Sequence, residues 1–495
     1  MEPWGASSIS LLLCATCLFF LLAWRKASGN SRLPPGPSPL PFLGNLLQLD
    51  TKNFPSSVEK LSQKYGPVFT IHLGSKRAVV LYGHEVVKEA LLTQGDEFGG
   101  RGSSPIIDKT ANGTGIGFSH GETWKQLRQF AVTTLHDLGM RPTQSTEEKV
   151  QEEACFLEHR LRGTEGRVFD PTLFLSQASA NILCSITMGS RFDYEDKDFL
   201  RFTHLLEKNS QLQSCTMAQL YNIFPTLLDY FPGPHQKIFE NTEELKRFIS
   251  KRVKMHEETL DPSQPRDFID AFLIKMEQEE QKSQSVFNHQ SLVRSILDIF
   301  VAGAESVGLV LKYGLLILLK HPEIEEKVHQ EIDDVIGRSQ RPCMADLDRM
   351  PYTAAVVHEI LRFIALVPLN VPRAVTKDTH FKQYLIPKGT TIFPALKPSL
   401  YNSREFPNPQ DFDPGHFLDG NGAFRKSDFF IPFSTGKRAC VGERLACMSI
   451  SVVLVAVLQH FALKPPGSSE QLDLSPTTGF LTVAPKPYQL SAVPR

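Results

Sequence analysis

Phe433-Ser434-Thr435-Gly436-Lys437-Arg438-Ala439-Cys440-Val441-Gly442 is the stretch on which the reading of this chain turns. An isolated cysteine is more often a small buried hydrophobe than a ligand, so its neighbours must argue the case. Gly436 and Gly442 flank Cys440 at spacings that let the backbone bend tightly and approach a flat cofactor, and Lys437 and Arg438 precede it. Beyond Gly442 the chain reads Glu443-Arg444-Leu445-Ala446-Cys447-Met448-Ser449-Ile450 and stays apolar to Leu458, a pattern that predicts a helix starting just after the sulfur. The free N–H groups and positive dipole end of such a helix stabilise charge on the sulfur and lower the thiol pKa. Cys440 therefore reads as a thiolate ligand.

The run resembles the heme-binding signature of the cytochrome P-450 family, Phe-x-x-Gly-x-Arg-x-Cys-x-Gly, at every fixed position. The resemblance implies a single cytochrome P-450 heme-thiolate fold, mainly α with smaller β-sheets, in which Cys440 is the axial ligand of the iron of heme b and Phe433 lies against the cofactor. Thiolate ligation in that setting pushes electron density to the iron and favours O–O cleavage.

Outward from Cys440, the longest apolar helix candidate runs from Ser291 to Lys320, about 45 Å at the helical rise, and should cross the core. Its middle carries Ala302-Gly303-Ala304-Glu305-Ser306. On packing grounds alone, Gly303 is a close-contact residue and Ser306 a back-bonded hydroxyl that bends the helix. The stretch also resembles the family's distal helix, Ala-Gly-x-(Asp or Glu)-Thr, with Ala302 facing the heme and Glu305 and Ser306 as candidate catalytic relay residues for protons. Serine stands where threonine is usual; it makes the same hydrogen bonds but lacks the methyl group that fixes the rotamer. Looser proton control, release of reduced oxygen or an unusual reaction are the consequences to expect.

Glu359-Ile360-Leu361-Arg362 sits on a helical segment expected to close at Pro368, and the i, i+3 spacing puts both charges on one face. It resembles the family's Glu-x-x-Arg motif, which implies a structural ion-paired network, with His416 as the local partner. Propionate contacts are implied for Arg101, Trp124, Arg128, Arg373 and Arg438, where arginine suits bidentate carboxylate binding and an indole N–H adds a neutral donor. The family's substrate-contact regions fall at Ile106, Ile107, Ile116, Phe118, Ile299, Val367, Leu369, Val371, Phe480 and Leu481. Nearly all are apolar, so burial at about 25 cal/mol per Å² would drive binding of a fatty acid, steroid, retinoid or xenobiotic. Core packing explains each of them singly as well.

The composition agrees with a large globular protein: 495 residues, 41% apolar and 22% charged. Lys plus Arg is 53 and Asp plus Glu 54, so no general attraction to nucleic acid is expected. Cysteines at 14, 17, 155, 184, 215, 343, 440 and 447 form no regular framework, which fits a reducing compartment.

From Trp4 to Trp24 the chain is apolar or small, and as a helix would span about 31 Å, enough to cross a bilayer. Glu2 precedes the span while Arg25, Lys26 and Arg32 follow it, which predicts a cytosolic globule behind an uncleaved signal anchor. Leu33-Pro34-Pro35-Gly36-Pro37-Ser38-Pro39-Leu40-Pro41 forbids helix and predicts a stiff extended spacer. The expected organisation is a transmembrane anchor over 1–26, a basic and proline-rich hinge over 27–41 and a catalytic domain over 42–495, located at the endoplasmic reticulum membrane. Helices are predicted over 147–162, 241–258 and 323–336, and strands over 68–73, 78–81 and around 384–393 across Pro387-Lys388-Gly389.

Further stretches resemble the microsomal family-two branch: Leu33-Pro34-Pro35-Gly36-Pro37, Gly44-Asn45-Leu46-Leu47-Gln48-Leu49, Phe192-Asp193-Tyr194-Glu195-Asp196-Lys197, Met350-Pro351-Tyr352-Thr353 and Phe417-Leu418-Asp419-Gly420. Besides Ser306, Gln129 stands where arginine is usual and Arg373 where histidine is common. The expected activity is a monooxygenase inserting one oxygen atom of O2 into a lipophilic substrate. No Gly-rich nucleotide fingerprint opens a strand-helix unit, so NADPH and flavins belong on a partner. That partner is an NADPH-dependent cytochrome P-450 reductase, with cytochrome b5 as a second candidate donor and Lys125, Lys437 and Arg444 on the docking face. Two alternatives stay open at this level: a reductase-independent heme isomerase or dehydratase acting on lipid peroxides, and a non-catalytic heme-binding membrane protein.

Overall fold

A computed structural model describes residue 16 and residues 33–50, 53–139, 145–281, 284–479 and 481–495. Apart from Thr16, the expected anchor lies outside the described residues, as does Phe480. The chain forms two compact units, Met1–Ser103 with Val371–Ala395 and Ser104–Asn370 with Leu396–Arg495. No change of composition marks the crossings at 103 and 371, and so the division left no trace in the sequence pattern.

The first unit is built on a sheet. After helix α1 (Phe54–Tyr65), strands β1 (Val68–Leu73) and β2 (Lys76–Tyr82) pair antiparallel, from Val68 opposite Leu81 to Leu73 opposite Lys76. Gly74, at φ +63°, makes the turn in a region where a Cβ is unfavourable. With β3 (Gly100–Arg101), β4 (Arg373–Ala374) and β7 (Thr391–Ala395) these give the order β1-β2-β7-β4-β3. The β2–β7 pair is parallel, which requires a long crossover rather than a hairpin. Both strand segments expected across Pro387-Lys388-Gly389 exist, but they do not pair with each other. The first, β6 (Tyr384–Ile386), pairs with β5 (Thr379–Phe381), and the second is β7.

The proline-rich stretch does not stand off as a spacer where it is described. Thr70 on β1 donates from its backbone N–H to the Pro35 carbonyl (2.8 Å) and from Oγ1 to the Pro34 carbonyl (2.8 Å). Prolines cannot donate but can accept, so this docking uses the atoms they retain. A Cβ on Gly36 would lie 1.9 Å from the Thr70 carbonyl oxygen, which explains a glycine among the prolines.

The second unit is helical: α2 (Pro105–Ala111), α3 (Gly121–Gly139), α4 (Thr146–Arg162), α5 (Thr172–Thr187), α6 (Lys197–Gln213), α7 (Pro234–Glu257), α8 (His289–Lys320), α9 (Pro322–Val335), α10 (Pro351–Ile364) and α11 (Glu443–His460) are its main elements. The predicted helices over 147–162, 241–258, 291–320 and 323–336 fall within α4, α7, α8 and α9, apart from one-residue differences at some ends. Helix α8 is the axis. Its Val307–Leu319 side packs with α4, α5, α9, α10 and α11, and its Leu292–Ala304 side packs with α5, α6 and α7. Both α8 and α11 are long and apolar enough to cross a membrane, yet most of each is buried in this core. Helix α10 ends at Ile364 because Ala365 turns left-handed (φ +44°), three residues before the expected stop at Pro368.

Candidate active site

The Cys440 loop lies between two fixed points. Ser434 (φ +66°) and Gly436 (φ +75°) turn the backbone left-handed, and the Cys440 N–H closes the turn on the Phe433 carbonyl at 3.0 Å. Asn370 Nδ2 donates to Ser434 Oγ at 2.8 Å. Helix α11 starts at Glu443 with Gly442 as its first cap, so the sulfur sits just ahead of a helix amino terminus, as its sequence predicts. Cys440 is exposed, whereas burial pushes the thiol of nearby Cys447 up to about 12. Of these two cysteines, the environment leaves Cys440 the one available as thiolate.

Cations surround the loop. Arg128 on α3 donates to the Ala439 carbonyl at 2.7 Å; burial lowers its pKa while negative charge on Cys440 acts in the opposite sense. Buried Arg438 donates to the Ser119 carbonyl at 2.9 Å and lies 3.8 Å over the Trp124 ring, a cation–π geometry. Trp124, Arg128 and Arg438 are therefore one cluster beside the sulfur. Arg101 and Arg373 belong to the other unit, where they face each other in register on β3 and β4.

Behind the loop, Glu359 and Arg362 are fully buried on α10 and form a bidentate pair at 2.6 and 2.7 Å. Arg362 also donates to the carbonyls of Leu400, Pro409 and Asp411, and Glu359 accepts the Asp413 N–H at 2.9 Å. His416 places Nδ1 3.1 Å from Glu359 and Nε2 2.7 Å from the Pro407 carbonyl. Two acceptors call for two ring protons. Burial alone would lower the His416 pKa, but Glu359 and the Pro407 carbonyl outweigh it and the value is raised. The structure thus brings together the three residues expected to form the proximal network.

On the distal side, α8 is buried along most of its length, yet Val301 is 46% exposed and Ala302 is exposed at mid-helix. Exposure in the middle of a core helix marks a space beside it. Val441 and Leu445, flanking the start of α11, pack on the same apolar cluster as Ile299, Phe300 and Ala304, so sulfur loop and distal stretch share one neighbourhood. A soft sulfur donor, adjacent cations and an open helix face fit heme. Glu305 and Ser306 follow, but among the described residues no hydrogen bond joins them. Ser306 Oγ reaches back to the Gly303 carbonyl at 3.5 Å, and Glu305 accepts from Ser210 on α6.

The expected substrate residues divide. Ile116 and Ile299 meet on the distal cluster, and Phe118, Val367, Leu369 and Leu481 are half-buried. Ile107 is half-buried on α2, whereas Ile106 packs into a separate core with Ala218, Tyr221 and Ile238. Val371 belongs to the first unit. Sequence reading missed the buried Arg294–Asp298 pair (2.8 Å), whose Asp298 also accepts the Gly117 N–H at 2.9 Å and anchors the loop before Trp124. Opposite charges at i, i+4 inside an apolar helix were the available signal. Ser119 and Asn370 left no signal, because their contacts come from distant segments.

Residues 34–492 match a family model described as Cytochrome P450. Cytochrome P450 2H1 of Gallus gallus is 54% identical over 495 residues, covering 100% of both chains, and Cytochrome P450 2H2 of the same organism is 52% identical over the same span. Cytochrome P450 2C21 of Canis lupus familiaris is 49% identical over 486 residues, 98% of this chain and 100% of the relative.

Proposed function

This chain belongs to the cytochrome P450 family, in its family 2, and we propose that within it Cys440 holds the heme iron, with Trp124, Arg128 and Arg438 binding the propionates. The protein is a heme monooxygenase acting on lipophilic substrates. The observation that carries the assignment of its ligand is the exposed Cys440 just ahead of α11, beside Arg128 and Arg438. For Arg101 and Arg373 the sequence resemblance alone argues a carboxylate-binding role; within their own unit they lie in paired register. Phe433 and Ala302 would lie against the cofactor.

Heme held there would supply dioxygen activation, with two electrons and two protons taken up as one oxygen atom leaves as water and the other enters the substrate. The residues of this chain do the rest. Glu305, whose pKa is raised chiefly by burial, holds a proton to higher pH than an ordinary carboxyl and serves with Ser306 Oγ to move protons to the distal space. Ile116, Phe118, Ile299, Val367, Leu369 and Leu481 offer apolar surface that selects a fatty acid, steroid, retinoid or xenobiotic by burial and excludes water.

Electrons come from an NADPH-dependent flavoprotein reductase, and cytochrome b5 is a further donor. Lys125, Lys437 and Arg444 are exposed and form the docking charge, with Gln129 a neutral position in the same helix as Lys125. The enzyme works at the endoplasmic reticulum membrane, anchored by 1–26 and joined through 27–41 to a catalytic region over 42–495. The test is the reduced carbon-monoxide spectrum: a strongly red-shifted Soret band is expected for the wild type and its loss for Cys440→Ser. Persistence of the band in that variant would overturn the ligand assignment.

A further inference from the structure

Helices α6 and α7 are tied to each other by polar bonds. Arg201 grips Glu244 with two bonds (2.6 and 2.9 Å), Asn209 Nδ2 donates to Thr242 Oγ1 at 3.2 Å, Asn241 Nδ2 donates to Asn209 Oδ1 at 2.9 Å, and Lys251 pairs with Asp198 at 3.0 Å. Toward the central helix α6 makes the edge-on Phe202–Phe300 contact at 5.0 Å. Against that background Ser210 Oγ donates to Glu305 Oε1 at 2.5 Å, from the carboxyl-terminal turns of α6 onto the acid of the distal stretch.

We propose that Ser210 is a positioning residue for Glu305: its hydroxyl holds the carboxyl group on the α6 side of the central helix and favours its ionised form. The inference rests on the monooxygenase reading of the site and adds a residue to it. Glu305 makes no hydrogen bond to Ser306 among the described residues, as expected of consecutive helix positions, and its carboxyl turns to Ser210 instead. Burial raises the Glu305 pKa, the Ser210 bond opposes that rise, and Glu207, one turn earlier on α6, adds a like charge that reinforces it. Withdrawing the Ser210 hydroxyl thus leaves a carboxyl that binds its proton more tightly.

The test uses full-length holoenzyme with the NADPH-dependent reductase. Infrared titration follows the carboxylic-acid band that Glu305→Gln removes, and a second assay follows hydrogen peroxide released per NADPH without substrate. Ser210→Ala is expected to raise the Glu305 midpoint by about half a pH unit and to change the peroxide share about two- to ten-fold, the range set by one hydrogen bond. Ser210→Thr, which keeps the hydroxyl, is expected to restore both. An unmoved midpoint in Ser210→Ala, or a shift that threonine does not restore, overturns the proposal. Absence of the red-shifted carbon-monoxide band in the wild type would instead sink the monooxygenase reading itself, so the two failures are distinguishable.

Discussion

The sides of the site facing Cys440 and facing Ser306 are held in opposite ways. On the proximal side, Glu359, Arg362 and His416 are buried and joined to one another and to the backbone of the 400–413 segment by bonds of 2.6 to 3.2 Å, so each group is fixed by several others. On the distal side, Val301 and Ala302 are open, and among the described residues Ser306 has one long back-bond and Glu305 one hydrogen-bond partner, on a separate helix. A metal ligand, as proposed for Cys440, must stay put, whereas a site for substrate and oxygen, as proposed beside Ala302, must admit them. The contrast is what those two tasks require.

The sharpest way to break the contrast is at the ligand. Cys440→Ser is expected to reduce monooxygenase turnover to background and abolish the thiolate-type spectrum, with spectroscopy and product analysis as the check. Next comes the buried pair. Glu359→Gln leaves Arg362 an uncompensated buried charge, at a cost of about 3–5 kcal/mol. Denaturant unfolding of the holoenzyme should show that loss, and a change below about 1 kcal/mol would mean that the proximal side is not over-determined as described.

Gly436→Ala probes the loop at φ +75°, where a Cβ costs about 1–2 kcal/mol. Lower heme occupancy at equal expression, read from absorbance per protein, is the expected result. His416 sharpens the comparison through pH. Its pKa is raised in the folded state, so the stability it contributes is fully present below the ordinary imidazole value of about 6.5 and fades as pH rises through the higher native value. The Tm gap between wild type and His416→Asn should therefore be widest in mild acid and narrow toward alkaline pH; a gap constant in pH would refute the imidazolium assignment.

The smallest effect is expected on the open side. Ser306→Thr adds the methyl group that restricts the rotamer, and should improve coupling of NADPH use to product by about two- to five-fold, roughly the worth of one better-placed hydrogen bond. Unchanged or poorer coupling would count against Ser306 as a relay group.

Legibility followed the range of the interaction. The Cys440 loop, its following helix and the Glu359–Arg362 pair lie within short windows, where turn chemistry and helical period leave marks. The β2–β7 partnership joins Ala78 to Thr391, and no local pattern announces a parallel neighbour so far along the chain. For the same reason the strand pair expected across Pro387-Lys388-Gly389 became two strands with different partners. The proline-rich stretch was legible as extended but not as docked, because the Thr70 bonds depend on where β1 lies.

By itself, then, the sequence determined the family's signature loop around Cys440, the helical character and the apolar central helix, since a signature loop and a 3.6-residue period are properties of neighbouring residues. Tertiary structure alone decided which side of the site is rigid, that Glu305 bonds to Ser210 rather than to Ser306, and where the exposed faces of Val301 and Ala302 open. These depend on segments distant in sequence meeting in space, and burial, which sets both hydrogen-bond choice and pKa, exists only once they have met.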